Sequence, residues 1–241
     1  MSRYVVMATW DDVPHLSAET KAELWASIPP FQRDARSKGI PQLGSGAIFP
    51  VAEAEIAIDP FEIPDYWPRG FALDTDMGAG FTGAVWGALN RDTNVLYIYD
   101  CYKRSRAEVA IHIAAVKARG EWIPGVGDAA ALIVTQHDAQ QIVSIYRQAG
   151  VDIILPDKSV EAGLQATWQM LSAGRLKVFK SCTQWFEEFR MYRRDDKGRI
   201  VKQNDHLMDP TRYMVQSGLK RFKTKPVPQA ETRMARLSAW G

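Results

Sequence analysis

The chain has 241 residues, 46% hydrophobic and 24% charged, with a formal net charge of +2, enough for one large domain, or a medium domain with an accessory segment, and for a well-buried core. No apolar run approaches the ~20 residues that cross a bilayer, and Trp10-Asp11-Asp12 interrupts the N-terminus too early for a signal-peptide core. Cys101 and Cys182 are too few and too isolated for a disulfide framework or a zinc site, so a reduced, cytosolic protein is expected.

Residues 1–60 read as an accessory region. Ser17 caps a predicted helix over 18–27, with Glu19 in its favourable first turn. Pro29-Pro30 stops it, and a second short helix, FQRDARSK, ends at Gly39. The stretch GIPQLGSGAIFP follows. Its GSGAIFP lacks the Gly-Lys-Ser/Thr ending of a phosphate-binding P-loop, and no other P-loop is present, so an ATPase activity is not supported.

Regular patterning starts near residue 68. Three strands are predicted in succession, at 70–74 (GFALD), 82–89 (TGAVWGAL) and 95–102 (VLYIYDCY), the last two joined by the turn 90–94. Tight turns between them imply an antiparallel meander. Residues 106–119 repeat apolar side chains at helical spacing and end at Gly120. A strand-like stretch around 122–126 leads into Asp128, followed by a helix near 138–149 and a strand at 151–155. A helix over 159–173, a strand at 176–179 and a helix over 183–192 come next. Asp195-Asp196-Lys197-Gly198 signals a hairpin turn, and a final helix lies near 205–218. A meander followed by alternating strands and helices predicts the α/β class, a mixed central sheet flanked by helices. A ribonuclease H-like fold would produce this order.

Three carboxylates stand out. Asp74 closes an apolar strand and is followed by Thr75, Asp76 and the glycines 78 and 80. A carboxylate there costs burial energy unless it is paired or bound to a cation, although acids at strand ends also cap loops. Asp128 lies between Ile123-Pro124-Gly125-Val126-Gly127 and Ala129–Ala131. Small neighbours leave room for a metal or a substrate backbone, and the same pattern suits a helix N-cap. In the cluster Asn204–Asp209, positions 205 and 209 would share a helix face. If the helix instead starts at Pro210, which fits the first helical position, Asp209 becomes the cap and Asp205 the better ligand. Three converging acids would suit magnesium or manganese, which prefer oxygen ligands. Two such ions ~4 Å apart can activate a water and stabilise the leaving oxygen of a phosphodiester. Basic clusters at Lys103, Arg104 and Arg106, at 193–202, and at 220–225 are either phosphate contacts or solvated surface.

At these residues the chain resembles the C-terminal nuclease domain of the terminase large subunit, the DNA-packaging motor of tailed bacteriophages. ALDTD, LYIYDCYKR, WIPGVGDAAA, VEAGLQATWQML and GRLKVFKSCTQWFEEFRMYRRDDKGRIVKQNDHLMDPTRY follow in that family's order. ATWDDVPHLS and ASIPPFQRDARSKGIPQLGSG resemble the segment that links the packaging ATPase to the nuclease. The resemblance implies a ribonuclease H-like fold and endonucleolytic cutting of concatemeric double-stranded phage DNA with Mg2+ or Mn2+, two ions being expected. It makes Asp74 the first-strand metal ligand, Asp128 the ligand after the fourth strand, and Asp205 the acid opening the C-terminal helix. Asp209 is a further metal ligand, and Asp76 and Glu108 are outer candidates. Lys103, Arg104, Arg193, Arg194, Lys197, Arg199 and Lys202 are expected to contact DNA. The implied layout is a linker from the ATPase side at 1–60, a nuclease domain at 61–222 and a basic, flexible tail at 223–241. The implied partners are the ATPase domain, the small terminase subunit and the portal, in the host-cell cytoplasm and away from membranes. Two departures stand against the family pattern: the continuation Thr-Asp-Met-Gly-Ala-Gly after Asp74, and Pro210 where a small helix former is expected. A DNA-gripping module with vestigial catalysis and a junction resolvase are the competing readings.

Overall fold

A seven-stranded mixed sheet organises the chain in the computed structural model, which describes residues 9–28, 33–38, 46–75, 80–128, 143–195 and 197–227. The elements in order are α1 (Ala18–Ser27), α2 (Arg33–Lys38), α3 (Glu53–Ile56), β1 (Ala57–Ile58), β2 (Arg69–Thr75), β3 (Phe81–Asn90), β4 (Val95–Ser105), α4 (Val109–Lys117) and β5 (Gly125–Asp128). Helical residues 143–148 (α5) follow. Then come β6 (Ile153–Ile154), α6 (Val160–Ser172), β7 (Leu176–Phe179), α7 (Thr183–Met191) and α8 (Met208–Tyr213). The sheet order is β1-β7-β4-β3-β2-β5-β6. β2, β3 and β4 are the expected antiparallel meander, and β5, β6, β7 and β1 join it in parallel pairs.

Local chemistry sets the boundaries. Ser17 Oγ accepts from the Thr20 N–H at 3.1 Å, the cap its hydroxyl predicts for α1. At the β3–β4 turn, Asn90 Oδ1 accepts from the N–H groups of Asp92 and Thr93, and Asn94 takes a left-handed φ of 55° that asparagine tolerates. Pro124 has no N–H to donate to a ladder, so β5 begins after it and ends on Asp128 rather than near 126. The strand expected at 151–155 contracts to two paired residues. Of the helix expected near 138–149, residues 138–142 lie outside the described residues. The final helix starts at Met208, widens after Tyr213 into a π-helical turn (Met214–Gly218) and ends in a 3-10 turn at Leu219–Arg221.

Side-chain alternation along the strands feeds two cores, one on each face of the sheet. Phe71, Leu73, Ala84 and Trp86 pack with Val116, Ile123, Val143 and Tyr146 under α4 and α5. Ala72, Val85, Leu96, Ile98, Val126 and Val178 pack with Leu164, Leu171, Trp185, Phe186, Met208 and Tyr213 from α6, α7 and α8. Phe49, Val51 and Ile56 belong to this second core, and β1 pairs with β7, so residues 49–58 are built into the same unit as the sheet. At the other end, Lys223 bridges to Arg69 and pairs with Asp152 at 2.8 Å, while Lys225 pairs with Asp65 at 3.0 Å. Among the described residues no helix is long and apolar enough to cross a membrane.

Candidate metal centre

Strand period and register bring the first two acids together. Ala72 faces the α8 side of the sheet, so Asp74, two residues on, faces it too. Val126 faces the same side, and Asp128 follows it by two. The parallel ladder pairs Ala72 with Val126 and Asp74 with Asp128. Two carboxylates therefore stand side by side at the carboxyl ends of adjacent strands, Asp128 as the last residue of β5.

The other two acids arrive on the turn just before α8 and on α8 itself. Asp209 sits in its first turn, and its N–H donates to the Asp205 carbonyl at 2.9 Å. Pro210 occupies the third helical position, where a missing N–H costs nothing because the first turn has no intrahelical acceptors for it. Asp209 is thus inside the helix rather than its cap, and Asp205 lies just ahead of it. Trp185 Nε1 donates to Thr211 Oγ1 at 2.8 Å, and that hydroxyl donates to the Leu207 carbonyl at 2.7 Å, which seats the helix against α7. Strand β3 approaches the preceding loop so closely that a Cβ on Gly83 would lie 1.9 Å from the His206 carbonyl oxygen. Only glycine fits there.

Together these elements line a cleft of about 500 Å³ that holds Asp74, Asp128, Asp205 and Asp209 with Lys158, Lys202, Arg212 and Tyr213. Lys158 Nζ lies 2.7 Å from Asp128 Oδ1, and Tyr213 donates its hydroxyl to Asp128 Oδ2 at 3.4 Å. Lys202 Nζ stands between Asp205 Oδ2 at 3.1 Å and Asp209 Oδ2 at 2.9 Å. Arg212 grips Asp209 Oδ1 from Nη2 at 3.1 Å. Asp74 has neither a hydrogen bond nor an ion pair among the described residues. Burial, then the charges of Asp209, Asp128 and Asp205, push its carboxyl well above the usual carboxylate range. Burial likewise pushes the Tyr213 phenol up, so it remains a donor.

These groups fit a divalent cation. Asp205 Oδ2 is buried, and the Lys202 ammonium stands 3.1 Å from it without making a regular hydrogen bond. An oxygen-only, carboxylate-rich donor set suits a hard ion such as Mg2+ or Mn2+. Among the described residues no three Asp, Glu, His or Cys side chains converge on one point as they stand, and Lys158 and Lys202 lie against the acids.

The other candidates separate. Asp76 lies outside the described residues. Glu108 is exposed at the N-cap of α4, outside the cleft, and makes no capping bond. Lys103 turns inward to the buried Glu188 at 2.6 Å and lies over the Phe81 ring, whereas Arg104 is exposed. Arg193 and Arg194 join a small hairpin bridged at Arg194 and Ile200, with Arg194 paired to Glu161 at 2.7 Å. Lys197 is exposed, Arg199 pairs with Asp195 at 3.1 Å, and Lys202 alone of this group enters the cleft. Lys158, Glu188, Arg212 and Tyr213 carry no sequence signal that singled them out, although Arg212 and Tyr213 follow Asp209 at three and four residues, the spacing of one helix face.

A family model described as the terminase RNaseH-like domain matches residues 74–217, more than half of the chain. The terminase large subunit of Salmonella phage P22 is 35% identical over 231 residues, taking in 88% of this chain and 44% of that protein. The chain thus spans less than half the length of that relative. The solved P22 large terminase nuclease domain aligns with a TM-score of 0.68 and 31% identity, over 76% of this chain and 96% of that domain. The large terminase nuclease domain of bacteriophage SPP1, solved with bound Mn, shares the fold with a TM-score of 0.51 and 17% identity, over 65% of this chain and 92% of that one. With a mixed sheet flanked by helices, and with these matches in sequence and structure, the chain belongs to the terminase RNaseH-like domain family.

Proposed function

We propose that this domain is an Mg2+- or Mn2+-dependent endonuclease that cuts concatemeric double-stranded phage DNA during genome packaging. The observation that carries the proposal is the in-register pairing of Asp74 with Asp128, faced by Asp205 and Asp209 across one cleft. The bound Mn of the SPP1 nuclease domain supports the choice of ion. Asp74, Asp128 and Asp205 are the primary ligands in this reading, with Asp209 beside them. Bound divalent ions would activate a water and stabilise the leaving oxygen of a phosphodiester.

The chain's own groups do the rest. Arg212 holds one oxygen of Asp209 and leaves the other facing the cleft. The Tyr213 hydroxyl orients Asp128. Lys158 and Lys202 neutralise part of the acid cluster before ions bind, and afterwards supply positive charge for the DNA backbone at the cleft mouth. Exposed Lys197 would add a further backbone contact, whereas Arg104, beside Tyr102 and His112, lies on the α4 face of the sheet. In the full motor, the segment ahead of residue 49 would face the ATPase domain, residues 49–58 being part of the sheet's core, with the small subunit and portal as further partners and the basic residues beyond 225 as a tail, in the host-cell cytoplasm.

A plasmid-nicking assay tests this. Chelated protein should be silent, added Mn2+ should restore nicking, and Asp74→Ala should abolish it. Metal-dependent cutting that survives Asp74→Ala overturns the site, and no cutting by the parent under any divalent ion favours a DNA-gripping module. A strong preference for four-way junctions over linear duplex would point to a resolvase instead.

A further inference from the structure

We propose that Glu188 is a positioning residue for the metal centre, holding the loop that carries Asp205 through the backbone N–H of Leu207; the metal-related part of this inference rests on the reading above. Glu188 sits on α7, outside the cleft, and is only 1% exposed. A carboxylate that deep costs several kcal/mol unless it is fully engaged. It is engaged at both oxygens: Oε2 accepts from Leu207 N–H at 2.6 Å, and Oε1 meets Lys103 Nζ at 2.6 Å. Leu207 is the N-cap residue of α8, so the bond fixes the entry of the helix that carries Asp209 and the loop end that carries Asp205.

The opposite side of this loop is fixed by contact rather than by charge. Gly83 of β3 meets the His206 carbonyl with no room for a side chain. Phe81 lies against the His206 ring at 5.1 Å and beneath the Lys103 ammonium at 4.7 Å. Residues 205–207 are thus clamped between β3 and α7, with Lys103 bridging the two walls. This gives Lys103 an internal task that its place in a basic cluster does not suggest. A purely apolar residue at 188 would fill the same space without holding the amide. Interactions that orient metal ligands from behind change metal affinity by about 10- to 100-fold when removed.

Two conservative variants separate reach from charge. Glu188→Gln, made together with Lys103→Met so that its NH2 does not face an ammonium, keeps an oxygen in reach of Leu207 N–H and removes the charge pair. Glu188→Asp keeps the charge and withdraws the oxygen by one methylene. Two readouts apply to each chelated protein: amide hydrogen exchange across 205–209, and Mn2+ binding followed by loss of the free-ion paramagnetic resonance signal without DNA. The clamp predicts exchange and Mn2+ affinity near the parent's for Glu188→Gln with Lys103→Met. For Glu188→Asp it predicts faster exchange at Leu207 and Mn2+ affinity weakened about tenfold. The reverse ranking, or no change in either variant, overturns the inference. If the parent itself binds no Mn2+, the metal reading fails, and the exchange data still decide whether Glu188 holds the loop.

Discussion

Replacing Asp74 by asparagine removes one negative charge from the crowded end of the sheet while preserving side-chain size. In-register neighbours on adjacent strands lie about 4.8 Å apart, so the Asp74 and Asp128 carboxylates face each other at roughly 5–6 Å. At an effective dielectric near 20, two unit charges at that distance repel by about 3 kcal/mol. Lys158, paired with Asp128 at 2.7 Å, offsets part of this, which leaves a net relief of about 1–2 kcal/mol for the substitution. A domain of this size shifts its Tm by about 2–4 °C per kcal/mol. Asp74→Asn in chelator should therefore melt about 2–8 °C above the parent while having no nicking activity. Scanning calorimetry with added Mn2+ completes the test. At 100 times the Kd a bound ion stabilises the parent by about 2.7 kcal/mol, and the variant should gain far less. An Asp74→Asn protein that melts below the parent, or that responds equally to Mn2+, refutes the charge-crowding argument.

Two further outcomes follow from the same cleft. The Asp74 carboxyl titrates above its ordinary value of 3.8 in the folded chain, through burial first and the Asp209, Asp128 and Asp205 charges next, so the folded state holds its proton where the unfolded state has lost it. Metal-free stability should fall as pH rises from that value through the raised one, and the parent should converge with Asp74→Asn below it; urea midpoints across pH that show the opposite slope would reject this. Lys202 has a largely exposed stem but shares its ammonium between Asp205 and Asp209. Lys202→Met should tighten Mn2+ binding by about two- to fivefold, the range for a solvent-screened pair, whereas unchanged or weaker binding by calorimetry would show that the lysine does not compete with the ion.

The sheet was legible because its signals are local. Strand propensity and a tight turn define β2 to β4, and period two predicts which residues face inward. Asp74 and Asp128 were legible as strand-end acids for the same reason. That Asp128 itself belongs to a strand was not, since that depends on pairing with a strand some fifty residues earlier. The short β1 escaped notice because two residues carry no periodicity and are defined only by β7, 121 residues on. Pro210 was ambiguous for a similar reason: the sequence permits any first-turn position, and the Glu188 bond to Leu207 N–H decides it. The basic clusters were the least legible. Charge along a sequence does not reveal which carboxylate waits across the fold, and Lys103 and Arg194 each meet one.

The central claim is that Asp74, Asp128, Asp205 and Asp209 hold divalent ions for phosphodiester cleavage. Anomalous diffraction from crystals soaked in Mn2+ addresses it most directly. The account predicts manganese in the cleft, bound by Asp74 and Asp128 and by Asp205 or Asp209 at about 2.0–2.3 Å, with the Lys202 ammonium displaced. Manganese bound elsewhere, or a cleft whose lysine pairs persist in saturating Mn2+, would contradict it.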